Sequence, residues 1–326
     1  MEFPSLEIGN FRVSLPIIQG GMAIRISTAQ LAAAVAREGG IGIIAGTGMS
    51  VAELKDEILK AKDLAQGKGK IGVNVLFAVT NFAALVKEAM EAGIDLFIYG
   101  AGFSKDVFKL GKDYGCPVVP IVSSARLAVT SEKLGAAGVV VEGYEAGGHL
   151  GTDRSVKELV PEVKKAVDIP VVAAGGITTG EDIYNLMNLG AKGVQIATRF
   201  AASLESNASK GFKEVYLASK EGDSVIIDSP VGLPGRAVKT SFSKKILQGE
   251  KIPIEECTHC LKRCSRTFCL KRALENAQEG KVESGLVFAG RYVHRMKEIL
   301  SVKEIIHRFK VEFAEACNKY GRIGYE

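Results

Sequence analysis

The sequence predicts an α/β chain folded as a (β/α)8 or TIM barrel, with an added C-terminal lobe or lid and a docked C-terminal helix. Two observations carry this. A unit of apolar helix, glycine and short apolar run recurs along the first two-thirds of the chain, and the apolar runs number eight, which closes a barrel. A hydrophobic fraction of 47% with no Trp suits parallel strands that are buried on both faces.

In order, the strands are expected at 16–19, 41–44, 71–74, 94–98, 117–121, 139–140, 170–173 and 194–195, about 20 to 32 residues apart, as βα units require. Gly39, Gly93, Gly135 and Gly190 end the helices before four of them, because glycine takes the left-handed conformation without steric cost. Ser27 with Gln30, Ser50 with Glu53, and Ser155 with Glu158 have capping-box spacing and mark helix starts. An open doubly wound sheet would need fewer units and a clear nucleotide fingerprint.

About 130 residues follow the eighth strand, more than one closing helix needs. We therefore divide the chain into a barrel at 1–202, a lobe or lid at 203–295 and a closing segment at 296–326. In the last, Val302, Ile305, Ile306, Phe309, Phe313 and Ala316 recur at three and four over 301–319, the stripe of a helix lying on the barrel.

No apolar run approaches the roughly 20 residues of a membrane span, and residues 1–10 lack a basic segment followed by an apolar one, so a cytoplasmic protein is expected. Between Arg236 and Lys310 stand 17 Lys and Arg against 8 Glu and no Asp, which makes the lobe basic and the rest mildly acidic. Such a lobe is a solvated surface or attracts phosphates, nucleotides or an acidic carrier protein; the few aromatics argue against nucleic acid.

In a barrel of this kind the residues after each strand line the active site. They read Gln19-Gly20-Gly21-Met22, Asn74, the loop from Glu142 through Gly147 and Gly148 to His149, Ala174-Gly175-Gly176, and Ala197-Thr198-Arg199. Glycine is concentrated where a flat ligand would approach the backbone. Gly175 and Gly176 place bare amides after strand seven, where barrels bind phosphate, and Thr198 adds a hydroxyl. Read alone, these glycines make tight turns equally well. His149 lies in a glycine-rich loop rather than on an apolar helix face, and an imidazole near its solution pKa of about 6.5 can exchange a proton at neutral pH.

The string from Glu142 to Gly151, with the Gln-Gly-Gly-Met start, Ala-Ala-Gly-Gly-Ile and Ala-Thr-Arg-Phe, resembles the nitronate monooxygenase (2-nitropropane dioxygenase) family across roughly residues 10–240. Flavin-dependent enoyl-acyl-carrier-protein reductases share the pattern. The resemblance implies FMN, with Gly21, Met22 and Asn74 against the flavin ring and its ribityl side. Gly148, Gly175, Gly176, Gln195 and Thr198 would hold the ribityl chain and phosphate, with Gly147, Ala174 and Ala197 in the same cofactor set, and His149 would face the substrate as the catalytic residue. Two departures stand out: Ala197 where the family often has Gly, and Ile24-Arg25 where an aromatic residue often follows Met22. The resemblance implies oxidation of an alkyl nitronate by way of reduced flavin and O2, with NAD(P)H-dependent reduction of an enoyl thioester as the alternative. Partners consistent with it are those small molecules, an acyl carrier protein and a second copy of the chain.

Cys257, Cys260, Cys264 and Cys269 fall within 13 residues. In a cytoplasmic chain such density suggests a zinc or iron–sulfur site, with His259 as an alternative ligand, or else free buried thiols. Cys116 and Cys317 read as core residues. An inosine-monophosphate-dehydrogenase-type barrel would carry a cysteine nucleophile where this chain has His149. A metal-stabilised binding or redox-sensing protein, with the cysteines as its working part, is the non-enzymatic alternative.

Overall fold

The computed structural model describes residues 3–324. The eight expected runs form β3 (Ile17–Gln19), β4 (Ile41–Ala45), β5 (Lys70–Leu76), β6 (Leu96–Gly100), β7 (Val118–Val122), β8 (Val139–Glu142), β10 (Val171–Ala174) and β11 (Gly193–Ile196), all parallel and closed into one barrel. A short strand, β9 (Gly148–His149), leaves the barrel after β8. An antiparallel hairpin of β1 (Leu6–Ile8) and β2 (Phe11–Val13) precedes the barrel. Its Leu6, Ile8 and Val13 pack with inward-facing Ile18, Ile43, Ile98, Val140 and Val172, so the barrel is a filled core.

The helices between strands are α1 (Ala29–Arg37), α2 (Val51–Ala65), α3 (Phe82–Glu91), α4 (Asp106–Asp113), α5 (Ala125–Lys133), α6 (Val156–Ala166) and α7 (Gly180–Asn188). Each packs an apolar face on the strands. The closest approach lies between α1 and β4, where a methyl group on Gly42 would overlap the carbonyl of Ala32. Ser50 and Glu53 make the expected capping box. Ser155 caps α6 through the Lys157 amide without a box, while Glu158 pairs with Arg154. Helix α1 begins at the extended Thr28 without a side-chain cap, contrary to the expectation for Ser27, because the Ser27 hydroxyl is bonded inward at the active-site end.

After β11 come α8 (Thr198–Ala201), α9 (Lys210–Ala218), β12 (Ser224–Asp228), β13 (Pro234–Val238), α10 (Ser241–Leu247), α11 (Leu270–Gln278) and a short 3-10 turn at Val293–Arg295. Strands β12, β13 and β9 form one antiparallel sheet. Helix α12 (Val302–Tyr320) then returns to the barrel wall. Its expected apolar residues are all buried, Ser301 and Glu304 cap it, and Glu312 accepts a 2.6 Å hydrogen bond from the Gly180 amide of α7. The lobe is thus inserted between the last strand and the last helix, over the carboxyl ends of the strands.

Gly42→Ala should keep α1 off β4. Added volume in a packed core costs typically 1–3 kcal/mol, and here the obstacle is backbone, so we expect about 3 kcal/mol less unfolding free energy, measured by urea denaturation.

Candidate active site

The carboxyl ends of the strands and the lobe enclose a cavity of about 650 Å³. Behind its floor lies Gln19, which is fully buried. The Gln19 amide donates to the Ser27 hydroxyl at 2.9 Å, and its oxygen accepts from the Ile43 amide at 3.1 Å. Ser27 in turn accepts from the Met22 amide at 3.0 Å. These bonds fix the path of Gly20, Gly21 and Met22 along the floor. A Cβ on Gly21 would lie 2.5 Å from the Cβ of Asn74, so only glycine lets that strand end approach the asparagine. The methyl of Ala197 sits 3.3 Å from the point where Gly20 lacks a Cβ, so the space for it comes from that neighbouring glycine.

A recess of about 60 Å³ continues from the main cavity and shares Glu142, Gly147, Gln195, Ala197 and Thr198 with it. Gly175 and Gly176 line it at φ of +108° and +74°, which L side chains rarely adopt. Gly290 and Tyr292 close it from the lobe side. The Gly290 amide donates to the Thr198 hydroxyl at 2.9 Å, and a Cβ on Gly147 would lie 2.5 Å from the Ala289 carbonyl carbon. The close approach of two glycine segments therefore shapes this recess. Every residue expected to hold a cofactor, together with His149, lines one cavity or the other.

His149 stands on β9, paired with Gly235 of β13. Its Nε2 shares a 2.8 Å hydrogen bond with the Ser229 hydroxyl, and its ring meets Phe288 edge-on at 5.2 Å. Burial lowers its pKa from the usual 6.5 to about 4. At neutral pH His149 is therefore an uncharged imidazole, which corrects the expectation of a group poised near its solution value. It can give or take a hydrogen bond but carries no exchangeable charge.

Glu142, at the end of β8, was not singled out from sequence. Burial raises its pKa to about 8, so it is protonated at neutral pH, and its carboxyl makes no hydrogen bond among the described residues. On β11 the buried Oε1 of Gln195 also lacks a partner. Ser229, Phe288, Gly290 and Tyr292 were missed as well, because they lie in the lobe and reach the site only through its fold. The glycine after the apolar run 286–289 was the one available signal.

The rim joins barrel to lobe. Arg25 donates to Glu53 at 2.6 and 2.9 Å and lies 3.6 Å from Glu275 of α11, while Ile24 is buried against Gly48. The departures noted at Ile24 and Arg25 thus fall on the cavity wall and its clasp. Of the four clustered cysteines only Cys260 lines the cavity; Cys257 and Cys264 are exposed. Among the described residues no group of three or more His, Cys, Asp or Glu could hold a metal ion. Cys257, Cys260, Cys264 and Cys269, expected to hold zinc or an iron–sulfur centre, form no such group among the described residues. Most of that segment follows an irregular path pinned to the barrel by Thr80, whose amide donates to the Cys260 carbonyl at 3.0 Å, and only Cys269 sits at a helix start.

Fold and site together define an oxidoreductase barrel whose active centre stands on the carboxyl ends of its strands. The chain belongs to the nitronate monooxygenase family, a family of flavin (FMN) enzymes, whose model matches residues 5–312. A carboxyl-CoA dehydrogenase of Rhodococcus jostii (strain RHA1), named for a hydroxy-methyl-oxo-octahydroindene substrate, is 32% identical over 230 residues, covering 71% of this chain and 64% of that protein. The chain thus spans somewhat less than two-thirds of that relative. A probable nitronate monooxygenase of Staphylococcus aureus (strain Newman) is 29% identical over 283 residues, covering 73% of this chain and 79% of that one. The solved structure of FabK from Thermotoga maritima superposes with a TM-score of 0.84 at 33% identity, covering 94% of this chain and 95% of that one. Among the described residues no helix is long and apolar enough to cross a membrane.

The pKa of His149 sets a stability window. Below pH 6.5 the unfolded chain takes up a proton that the folded chain refuses until about pH 4, so the stabilisation is present above that range and lost as pH falls through it. Urea titrations at pH 7 and pH 4 should show His149→Gln losing up to about 3 kcal/mol less than the wild type on acidification.

Proposed function

We propose that the protein is an FMN-dependent oxidoreductase that reduces the double bond of an enoyl thioester at the expense of NAD(P)H. One observation carries the choice of substrate. Beyond the glycine floor the cavity continues into the lobe, where Leu261, Leu270, Leu274, Leu286 and Phe288 make an apolar wall. A nitronate of a few heavy atoms has no use for such a wall, whereas an acyl chain gains about 0.8 kcal/mol per buried CH2 there. The likeness to FabK over nearly the whole of both chains and the acyl-CoA substrate in the name of the Rhodococcus relative support the same reading.

The residues present fit FMN. Gly20 and Gly21 offer a floor without side chains, the recess beside Gly175 and Gly176 is small and glycine-lined, and Gln195 holds an acceptor oxygen with no protein partner. When bound there, FMN would supply the two-electron relay between nicotinamide and substrate. Met22 and Asn74 would border the ring; Gly147, Gly148, Ala174, Ala197 and Thr198 would border the chain and phosphate. His149, uncharged and steadied by Ser229, would offer a ring nitrogen to the substrate carbonyl and fix the orientation of the adjoining double bond. Lys271, which lines the cavity from the basic lobe and lies 3.8 Å from Glu275, would favour a phosphate-bearing carrier such as coenzyme A or an acyl carrier protein.

Nitronate oxidation is the second reading, favoured by the family match and the Staphylococcus relative. With a pKa of about 4, His149 is a weak base for removing a proton from a neutral nitroalkane, so this reading is confined to nitronates already ionised.

Anaerobic stopped-flow absorbance of the FMN-loaded protein separates the two. Fast bleaching of the flavin band by NADH or NADPH, reversed by a crotonyl or longer enoyl thioester, is the expected result; bleaching by an alkyl nitronate alone overturns it. Leu274→Trp should raise KM for thioesters long enough to reach the wall about tenfold, the equivalent of two lost methylene burials, and leave crotonyl thioester nearly unchanged.

A further inference from the structure

The span 248–269, between α10 and α11, carries neither helix nor strand, and its one ladder contact is the bridge of Leu261 with Val79. Phe268 alone in it is buried, so apolar burial does little to order it. A connection this long without structure of its own is uncommon in a compact lobe unless it has a function. Its base is nevertheless closed: the Ile252 amide donates to the Thr267 carbonyl at 3.3 Å, and the Ser265 amide to the Pro230 carbonyl at 3.0 Å. Cys257, Cys260, Cys264 and Cys269 all lie in this span, and all are free thiols.

The backbone treats these cysteines as two pairs. His259, between Cys257 and Cys260, has φ of +49°, and Arg266, between Cys264 and Cys269, has φ of +57°. Side chains other than glycine rarely take this left-handed form, and each residue bends the chain inside one pair. The pairs meet at Cys260. Burial is the first cause that pushes its thiol pKa up, and the nearby Cys269 and Cys264 thiols add to it. Cys269 stands at the start of the nine-residue helix α11, whose first amides have no side-chain cap and favour a thiolate there. Four thiolates on one divalent ion make a dianion, and Arg263 and Arg266, which join no ion pair among the described residues, lie in the same span to offset it. As they stand, the four sulfurs do not converge on one point. Cys257 and Cys264 are exposed and have room to turn inward, so ion binding and ordering of the span would be one event.

We propose that Cys257, Cys260, Cys264 and Cys269 bind one zinc ion as four thiolates, and that the ion staples the span 248–269 to the rim of the barrel. Zinc suits the place better than an iron–sulfur cluster, because two of the four thiols face solvent and a structural zinc needs only a closed tetrahedron of sulfur. The staple acts on the cavity through its neighbours. Cys260 and Leu261 line the cavity, and the Thr80 amide and the Ala78 carbonyl hold Cys260 and Lys262 against the loop after β5. Zinc would therefore fix the far wall without touching the glycine floor, whatever reaction takes place there.

The test is metal analysis of the whole protein, purified under reducing conditions and dialysed after addition of zinc chloride. Wild type should retain one zinc per chain, and X-ray absorption at the zinc edge should give four sulfur neighbours at about 2.3 Å. Cobalt chloride added to the stripped protein should give the intense red-region bands of a tetrahedral thiolate site, beyond the flavin absorption. Cys257→Ser and Cys264→Ser, at exposed positions outside the cavity, should each lose most of the zinc. Stripping zinc from wild type should speed tryptic cleavage after Lys262, Arg263 or Arg266 by about tenfold or more, because the span then opens locally. No retained zinc, iron with acid-labile sulfide in its place, or a zinc shell of three sulfurs and one nitrogen overturns the assignment; so does full zinc retention in both variants. The wild-type readings decide the matter even where a serine variant fails to fold.

Discussion

The active site depends on one short ladder, the pairing of Gly148 and His149 with Gly235 and Arg236 of the lobe. A glycine-rich loop has no preferred path of its own, since glycine loses more freedom on ordering than any other residue. The ladder supplies the path. Buried Arg236 then locks it: its guanidinium donates to the Tyr144 carbonyl at 2.9 and 3.2 Å, bonds the Ser224 hydroxyl at 3.1 Å and lies 4.3 Å from the centre of the Tyr144 ring. Four contacts on one guanidinium use its planar fork in a way that lysine could not. The lobe therefore holds the loop that carries His149 as well as covering it.

The same burial that orders the loop sets its electrostatics. His149 and Glu142 lie seven residues apart, and desolvation drives their pKa values in opposite directions, to about 4 and about 8. Each is neutral at pH 7, so the pocket between them has little charge of its own. Their pH windows oppose: acid below 6.5 weakens the fold through His149, whereas rising pH between 4.5 and 8 weakens it through Glu142, because there the unfolded chain has already released a proton that the folded chain keeps. A cavity lined by neutral polar groups can accept a ligand that brings its own charge.

The barrel was legible in the sequence because its signals are local. Glycine after a helix and a short apolar run before the next loop are set by residues within a dozen positions, and all eight strands followed from them. The cavity-lining residues named from the sequence were legible for the same reason, since each sits near the carboxyl end of a strand or in the loop that follows it. The lobe was not. Ser229, Phe288 and Gly290 reach His149 and Thr198 across separations of about 80 to 140 residues, and no periodicity encodes such a contact. The cysteine segment is hard to read for a related reason: density along the chain does not say how the backbone turns, and here the segment runs along the rim from Thr80 towards α11. Ser27 shows the limit of local signals even in the barrel, because a serine before a helix can cap it or, as here, bind a buried glutamine instead.

These two levels of legibility correspond to a division of labour. The floor of the cavity consists of strand ends and glycines whose geometry is imposed by barrel closure, so it can change little without disturbing the fold; Gly21 against Asn74 is an instance. The far wall and the clasp consist of lobe residues and of Ile24 and Arg25, which meet the barrel through side chains. A leucine there can change size without moving a strand. Chemistry common to the family should therefore reside in the floor, and the choice of substrate in the wall. That is why a single barrel pattern covers proteins named for nitronates and for acyl thioesters, and why the apolar wall is the better guide to what this chain binds.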